Sequence, residues 1–153
     1  MKKMLFALAL VVSMVSALNA QVTDKAIGLR FVNAGDGAEI SFQSPLGKSN
    51  RLELDLGANI NNTYKGFQLA GVYQWVWGLE ALAPGFNWYA GVGASIGTYS
   101  SNLGIGILGQ IGLEYNFTIP LQLSLDLRPT LFNSYSLNSY GYTGNGIAVR
   151  YRF

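Results

Sequence analysis

The chain alternates. In Arg51-Leu52-Glu53-Leu54-Asp55-Leu56 every second residue is leucine and every residue between is charged, the period of a strand with one apolar and one polar face. The pattern returns along the chain. It predicts strands over about Lys25–Asn33, Ala38–Gln43, Arg51–Leu56, Gly66–Trp77, Phe86–Tyr99, Leu103–Phe117, Leu121–Arg128 and Gly146–Phe153. No stretch after Gln21 carries a convincing helical period. In the last strand Ile147, Val149, Tyr151 and Phe153 share one parity, and Ala148, Arg150 and Arg152 the other. It stays apolar to its final residue, where an ordinary terminus frays in polar residues.

Turn chemistry separates these runs. Ala34-Gly35-Asp36-Gly37 reads as a tight turn, because Gly tolerates positive φ. Ser44–Asn50, the polar Asn59–Lys65, Ser100–Asn102 and Thr118–Pro120 are further connections, and Gly78–Gly85 is a turn with room for one helical twist. Asn133–Asn145 is long, polar and Tyr-rich. All are short enough to join antiparallel neighbours, so the expectation is all-β, with eight strands in up-and-down order. Pro129 predicts a bulge or a strand end, since Pro cannot donate to the ladder. The second strand, at about six residues, is short for the 9–11 of a membrane strand.

Alternation alone leaves open whether the apolar face points in or out. Arg30, Arg51, Arg128, Arg150 and Arg152 all take the polar parity, with Glu39, Glu53, Asp55, Glu114 and Asp126. These five cations and five anions balance, as charges enclosed together must. Beyond the N-terminal segment, Lys25, Lys48 and Lys65 sit only at strand starts or in turns. The polar side of strands five and six is mainly Gly, Ser, Tyr and Gln, which suits a crowded interior. Phe42, Trp75, Trp77, Phe86, Trp88, Tyr115, Phe117, Tyr151 and Phe153 take the apolar parity near strand ends at one level, as in an aromatic girdle. The predicted fold is therefore an eight-stranded antiparallel transmembrane β-barrel, apolar side outward. In hydrocarbon every backbone polar group needs a partner, so the last strand must close onto the first. Eight strands leave an interior just wide enough for side chains.

Composition agrees. Only 12% of the 153 residues are charged, whereas Gly supplies 19 and Tyr, Phe and Trp together 20. The length suits one domain. The formal charge of +2 comes from Lys2 and Lys3, leaving eight basic and eight acidic residues after position 20. No nucleic-acid partner is indicated. Lys2-Lys3, the apolar run Met4–Val12 and the small residues after it read as a cleaved secretory signal over 1–20, with cleavage after Ala20 or Ala17. The domain expected to fold is 21–153.

The chain resembles the small eight-stranded outer-membrane β-barrel proteins of Gram-negative bacteria, of OmpA/OmpX-type architecture. The stretch Gly112–Pro129 resembles a strand–turn–strand recurring in uncharacterised members, and Tyr151-Arg152-Phe153 is similar to the class's C-terminal assembly signal, an alternating strand ending in an aromatic. The resemblance implies export to the outer membrane. Its implied partners are outer-membrane lipid, periplasmic chaperones and the barrel assembly machinery that reads Tyr151 and Phe153.

Chemistry is scarce. The chain has neither His nor Cys, so it lacks a His-based triad, a thiol nucleophile and the usual zinc ligands. Lipid A-modifying and peptide-cleaving barrels resemble one another in using a His near the outer rim, which this chain cannot supply. Glu53 and Asp55 have the chemistry for acid–base work, but abundant Arg favours ion pairing instead. Gly104-Ile105-Gly106-Ile107-Leu108-Gly109 fits the dinucleotide fingerprint in letters only, because no helix follows. The small lumen-side glycines are expected to make room for large neighbours such as Tyr89 or Tyr99. No cofactor and no enzymatic activity are expected. Asn59–Lys65 and Ser134–Asn145 would face outside, the second with the Tyr, Ser, Asn and Gly composition of binding loops, suited to an unidentified extracellular ligand. Three readings follow: a barrel serving envelope structure or surface interaction, a narrow channel suggested by Gln68, Gln74, Gln110 and Gln122 beside the charges, and a soluble periplasmic barrel holding an apolar ligand.

Overall fold

A computed structural model describes residues 22–33, 37–59, 66–99, 102–133 and 144–153. The signal segment predicted over 1–20, the tip of the first turn, and most of the two loops expected to bind (60–65 and 134–143) lie outside the described residues.

The strands are β1 (Ala26–Val32), β2 (Gly37–Pro45), β3 (Asn50–Asn59), β4 (Gly66–Gly78), β5 (Phe86–Tyr99), β6 (Asn102–Asn116), β7 (Leu121–Arg128), β8 (Thr130–Asn133) and β9 (Gly144–Arg152). Each of β1 to β6 pairs antiparallel with the next; β6 carries both β7 and β8, β7 pairs with β9, and β9 returns to β1. The sheet is closed. β7 and β8 share one position, so the nine described segments form an eight-stranded, all-antiparallel β-barrel. No α-helix occurs among the described residues.

Pro129 causes the division. Its carbonyl still accepts the Gly109 N–H at 2.9 Å, but the ring nitrogen has no hydrogen to donate. Beyond it the register against β6 slips between Ile107 and Leu108, the expected bulge. The second strand is longer than the sequence pattern suggests, running nine residues to Pro45, which pairs with Arg51 at the strand end. A missing donor costs little there. Between β4 and β5 the N–H groups of Leu82 and Ala83 both donate to the Leu79 carbonyl, at 2.8 and 3.3 Å. This is the single helical twist, and Gly85 closes it at a φ of 85°.

Closure runs to the last residue. Phe31 faces Ile147 and Ile27 faces Tyr151. Past the assigned strands, Phe153 N–H donates to Lys25 O at 2.9 Å and Lys25 N–H to Phe153 O at 3.1 Å.

Alternation along each strand puts one parity inside and the other outside. Ile40, Leu125 and Leu127 are more than half exposed (54, 53 and 57%), whereas Arg30, Glu53 and Arg128 are fully enclosed at 0%. A soluble domain keeps its apolar side chains inside; this barrel does the reverse. The apolar residues within it are few, chiefly Val72, Val76, Tyr89 and Leu108.

Candidate functional site

The enclosed charged side chains, with most of the enclosed polar ones around them, form one hydrogen-bonded cluster. From β1, Arg30 grips Asp126 of β7 with Nη2 to Oδ1 at 2.5 Å and Nε to Oδ2 at 3.1 Å. Its Nη1 donates to Glu39 Oε2 of β2 at 2.8 Å. From the other side Arg128 Nη1 lies 3.4 Å from the same Glu39 oxygen, while its Nη2 reaches Glu53 Oε1 at 2.9 Å and Asp55 Oδ2 at 2.5 Å. A guanidinium presents five N–H groups in a rigid fork, which lets one Arg bridge several carboxylates.

Glu53 is the hub. It accepts from Arg150 Nη2 at 2.9 Å, Gln43 Nε2 at 2.6 Å and Gln110 Nε2 at 3.0 Å, as well as from Arg128. Arg150 in turn donates to Ser41, Ser124 and Gln122. Toward the end of the barrel that holds Val22 and Phe153, here the terminal end, Arg51 pairs with Glu114 at 2.6 Å and donates to Gln74 Oε1 at 2.5 Å. Its guanidinium lies over the Tyr89 ring, 4.9 Å from the centroid, a cation–π contact. Gln74 donates to Gln110 at 2.8 Å, returning the chain of bonds to Glu53. Thus every barrel position contributes, β5 through Tyr89 and Asn87.

Two glycines make this crowding feasible. A Cβ on Gly112 would overlap the Tyr89 ring, and one on Gly146 would overlap the Arg30 guanidinium. The expectation that small lumen-side glycines make room for large neighbours holds for Tyr89, whose ring lies over Gly112.

Of the ten charged residues that the sequence assigns to the lumen, nine are enclosed: Arg30, Glu39, Arg51, Glu53, Asp55, Glu114, Asp126, Arg128 and Arg150, none more than 3% exposed. Arg152 is not among them. It sits at the rim, 3.2 Å from Asp24, and donates to the Phe117 and Ile119 carbonyls. Strand parity points it inward, but β9 ends there and the side chain turns along the mouth. The enclosed charges are consequently four cations and five anions among the described residues, not five and five.

The nine girdle aromatics all lie on the outward parity, and none is buried. Trp77 and Trp88 face each other across β4 and β5 and stack at 4.3 Å. Phe86 faces Tyr115, which meets Phe117 edge-on at 4.7 Å. Tyr151 and Phe153 lie nearly parallel at 6.5 Å, Trp75 meets Tyr73 edge-on, and Phe42 pairs with Ile27 and Leu54. All belong to the terminal end of the barrel.

Sequence reasoning missed the segment before β1. Val22 N–H donates to Lys48 O at 2.8 Å, and the Val22 side chain packs on the enclosed Val76 and Tyr89. Residues 22–24 therefore cross the mouth above a polar recess of about 50 Å³ edged by Asp24, Arg51, Glu114 and Arg152. A lone apolar residue in a polar leader gives no periodic signal. The fingerprint-like Gly104–Gly109 lies wholly within β6. With its fold and site in view, the chain is a small closed β-barrel with an ion-paired interior and an apolar outer wall. No protein-family model and no curated protein matches it.

Proposed function

We propose that the protein is a non-enzymatic, integral outer-membrane β-barrel that serves envelope structure or surface interaction through its loops. The observation that carries this reading is the inverted polarity. Large aliphatic side chains cover the outside, and the charged groups form a bonded cluster inside. Exposed in water, so continuous an apolar wall would drive association. In hydrocarbon it needs no cover, and a closed sheet leaves no unpaired edge. The aromatic band at one end suits a membrane–water interface, which the C-terminal aromatics would share with their role in assembly. Without His or Cys, and with Glu53 and Asp55 engaged by Arg128, chemistry is not the reading favoured.

Fractionation of cells producing the full chain tests this. Recovery with the outer membrane after alkaline washing, with a gel mobility that changes on boiling, is the expected result. Recovery in the soluble periplasmic fraction would favour the soluble ligand-binding barrel, although that reading calls for an apolar interior and this one is charged.

The narrow-channel reading is favoured by the Gln-rich interior and the polar recess at the mouth. Reproducible unit conductance in planar bilayers, altered by Arg128→Ala, would support it; silence would reject it.

A further inference from the structure

The four enclosed guanidiniums face five carboxylates. Arg30 with Asp126, Arg51 with Glu114 and Arg150 with Glu53 make close pairs at 2.5, 2.6 and 2.9 Å. Arg128 is left between Glu39 and Asp55, with Glu53 as a further neighbour. Lys25 and Lys48 are exposed. Among the described residues, no enclosed cation offsets the fifth anion, and a buried unbalanced charge is costly.

The deficit has a location. Asp55 Oδ2 takes the Arg128 hydrogen bond, whereas Oδ1 is buried without a partner. The Gln68 carboxamide, 1% exposed, leaves both Oε1 and Nε2 unpartnered. Buried polar atoms are rarely left so. Asp55 is opposite Ala70, and Gly57 is opposite Gln68. The two polar residues are therefore diagonal neighbours on the inner face, within reach of long side chains. The wall around them is small: Gly97 faces Gln68 and Ser95 faces Ala70 on the next strand.

We propose that this corner binds one monovalent, oxygen-coordinated cation of the sodium class, held by Asp55 Oδ1 and Gln68 Oε1 with the Ser95 hydroxyl alongside. Hard cations take oxygen ligands of this kind. A single charge matches the deficit. A divalent ion normally draws on several carboxylates, and no group of three or more His, Cys, Asp or Glu is placed to hold a metal among the described residues. The Arg128 guanidinium beside Asp55 also disfavours the higher charge of a divalent ion. The inference rests on the barrel fold and does not depend on where the barrel resides.

The test is thermal unfolding of the purified, folded protein, in nonionic detergent or in plain buffer if the barrel proves soluble. Sodium chloride replaces choline chloride at constant ionic strength. The midpoint is expected to rise by about 5 °C once sodium exceeds its dissociation constant roughly tenfold. Asp55→Asn, which keeps the shape and removes the charge, is expected to abolish that rise. Should this variant not fold, Gln68→Ala keeps the charge and is expected to shift the sodium response to higher concentration. Crystals soaked in a thallium(I) salt are expected to show an anomalous peak between Asp55 and Gln68. Identical melting in the two salts, or no such peak, would overturn the proposal and leave the corner to water or a proton.

Discussion

Arg30 holds Asp126 through two parallel hydrogen bonds, at 2.5 and 3.1 Å, across the inside of the barrel. The residues belong to β1 and β7, which are not neighbours in the sheet, since β9 lies between them. The pair thus fastens the closing seam from within, independently of the backbone ladder. Such a pair contributes little relative to an apolar pair of the same shape, but removing one partner strands a buried charge. Arg30→Ala is expected to lower the unfolding free energy by about 3–5 kcal/mol, read by urea titration of the folded barrel. Adding Asp126→Ala should recover part of that loss. A double variant as destabilised as the sum of the singles would show that the pair does not act as a unit.

Arg150 and Arg152 share parity on β9 but not fate. Arg150 is enclosed and bonded to Glu53, Ser41 and Ser124, whereas Arg152 meets Asp24 at the exposed rim. Arg150→Ala should cost about 3–5 kcal/mol. Breaking the Arg152–Asp24 pair by Asp24→Asn should change stability by less than about 1 kcal/mol, diminishing further in high salt. Comparable losses from both would contradict the division between interior and rim.

The space under Tyr89 is reserved by Gly112. Gly112→Ala is expected to cost about 1–3 kcal/mol through overpacking. Gly47, in the turn between β2 and β3, has open space around it, so Gly47→Ala should be close to neutral. Equal costs at both positions would mean that Tyr89 can move aside freely.

Phe153 has two separable connections. Its backbone exchanges hydrogen bonds with Lys25, and its ring is exposed, nearly parallel to that of Tyr151. Phe153→Ala keeps the backbone pair and removes the ring. It should leave detergent stability within about 1 kcal/mol while reducing assembly into the outer membrane. Equal effects in both assays would count against recognition of the ring.

The barrel was largely legible in the sequence because each strand has one apolar and one polar face, so period 2 reports both the element and its orientation. Asp55 and Leu56 illustrate this, one enclosed and the other 52% exposed. Pro129 announced the break between β7 and β8 through its missing donor. What stayed hidden depends on three-dimensional distance. Parity gave Arg152 the same inward direction as Arg150 but could not say that β9 ends there. The alternation of Ala38–Gln43 fades at Ser44 and Pro45, yet backbone pairing continues to Arg51. The Val22 contact with Val76 and Tyr89 follows no period at all. The imbalance of four cations against five anions emerged only once Arg152 was located at the rim.

If the proposed membrane setting is right, the apolar wall meets lipid, and the tryptophans report on that contact. All three, Trp75, Trp77 and Trp88, lie in the aromatic band at the terminal end. Tryptophan emission should be recorded after reconstitution of the barrel into vesicles whose acyl chains carry bromine at successive depths. Quenching is expected at every depth within reach of the rim, strongest for bromine near the headgroups and weaker toward the bilayer centre. Emission unaffected by bromine at any depth, from protein that is folded and associated with the vesicles, would contradict it.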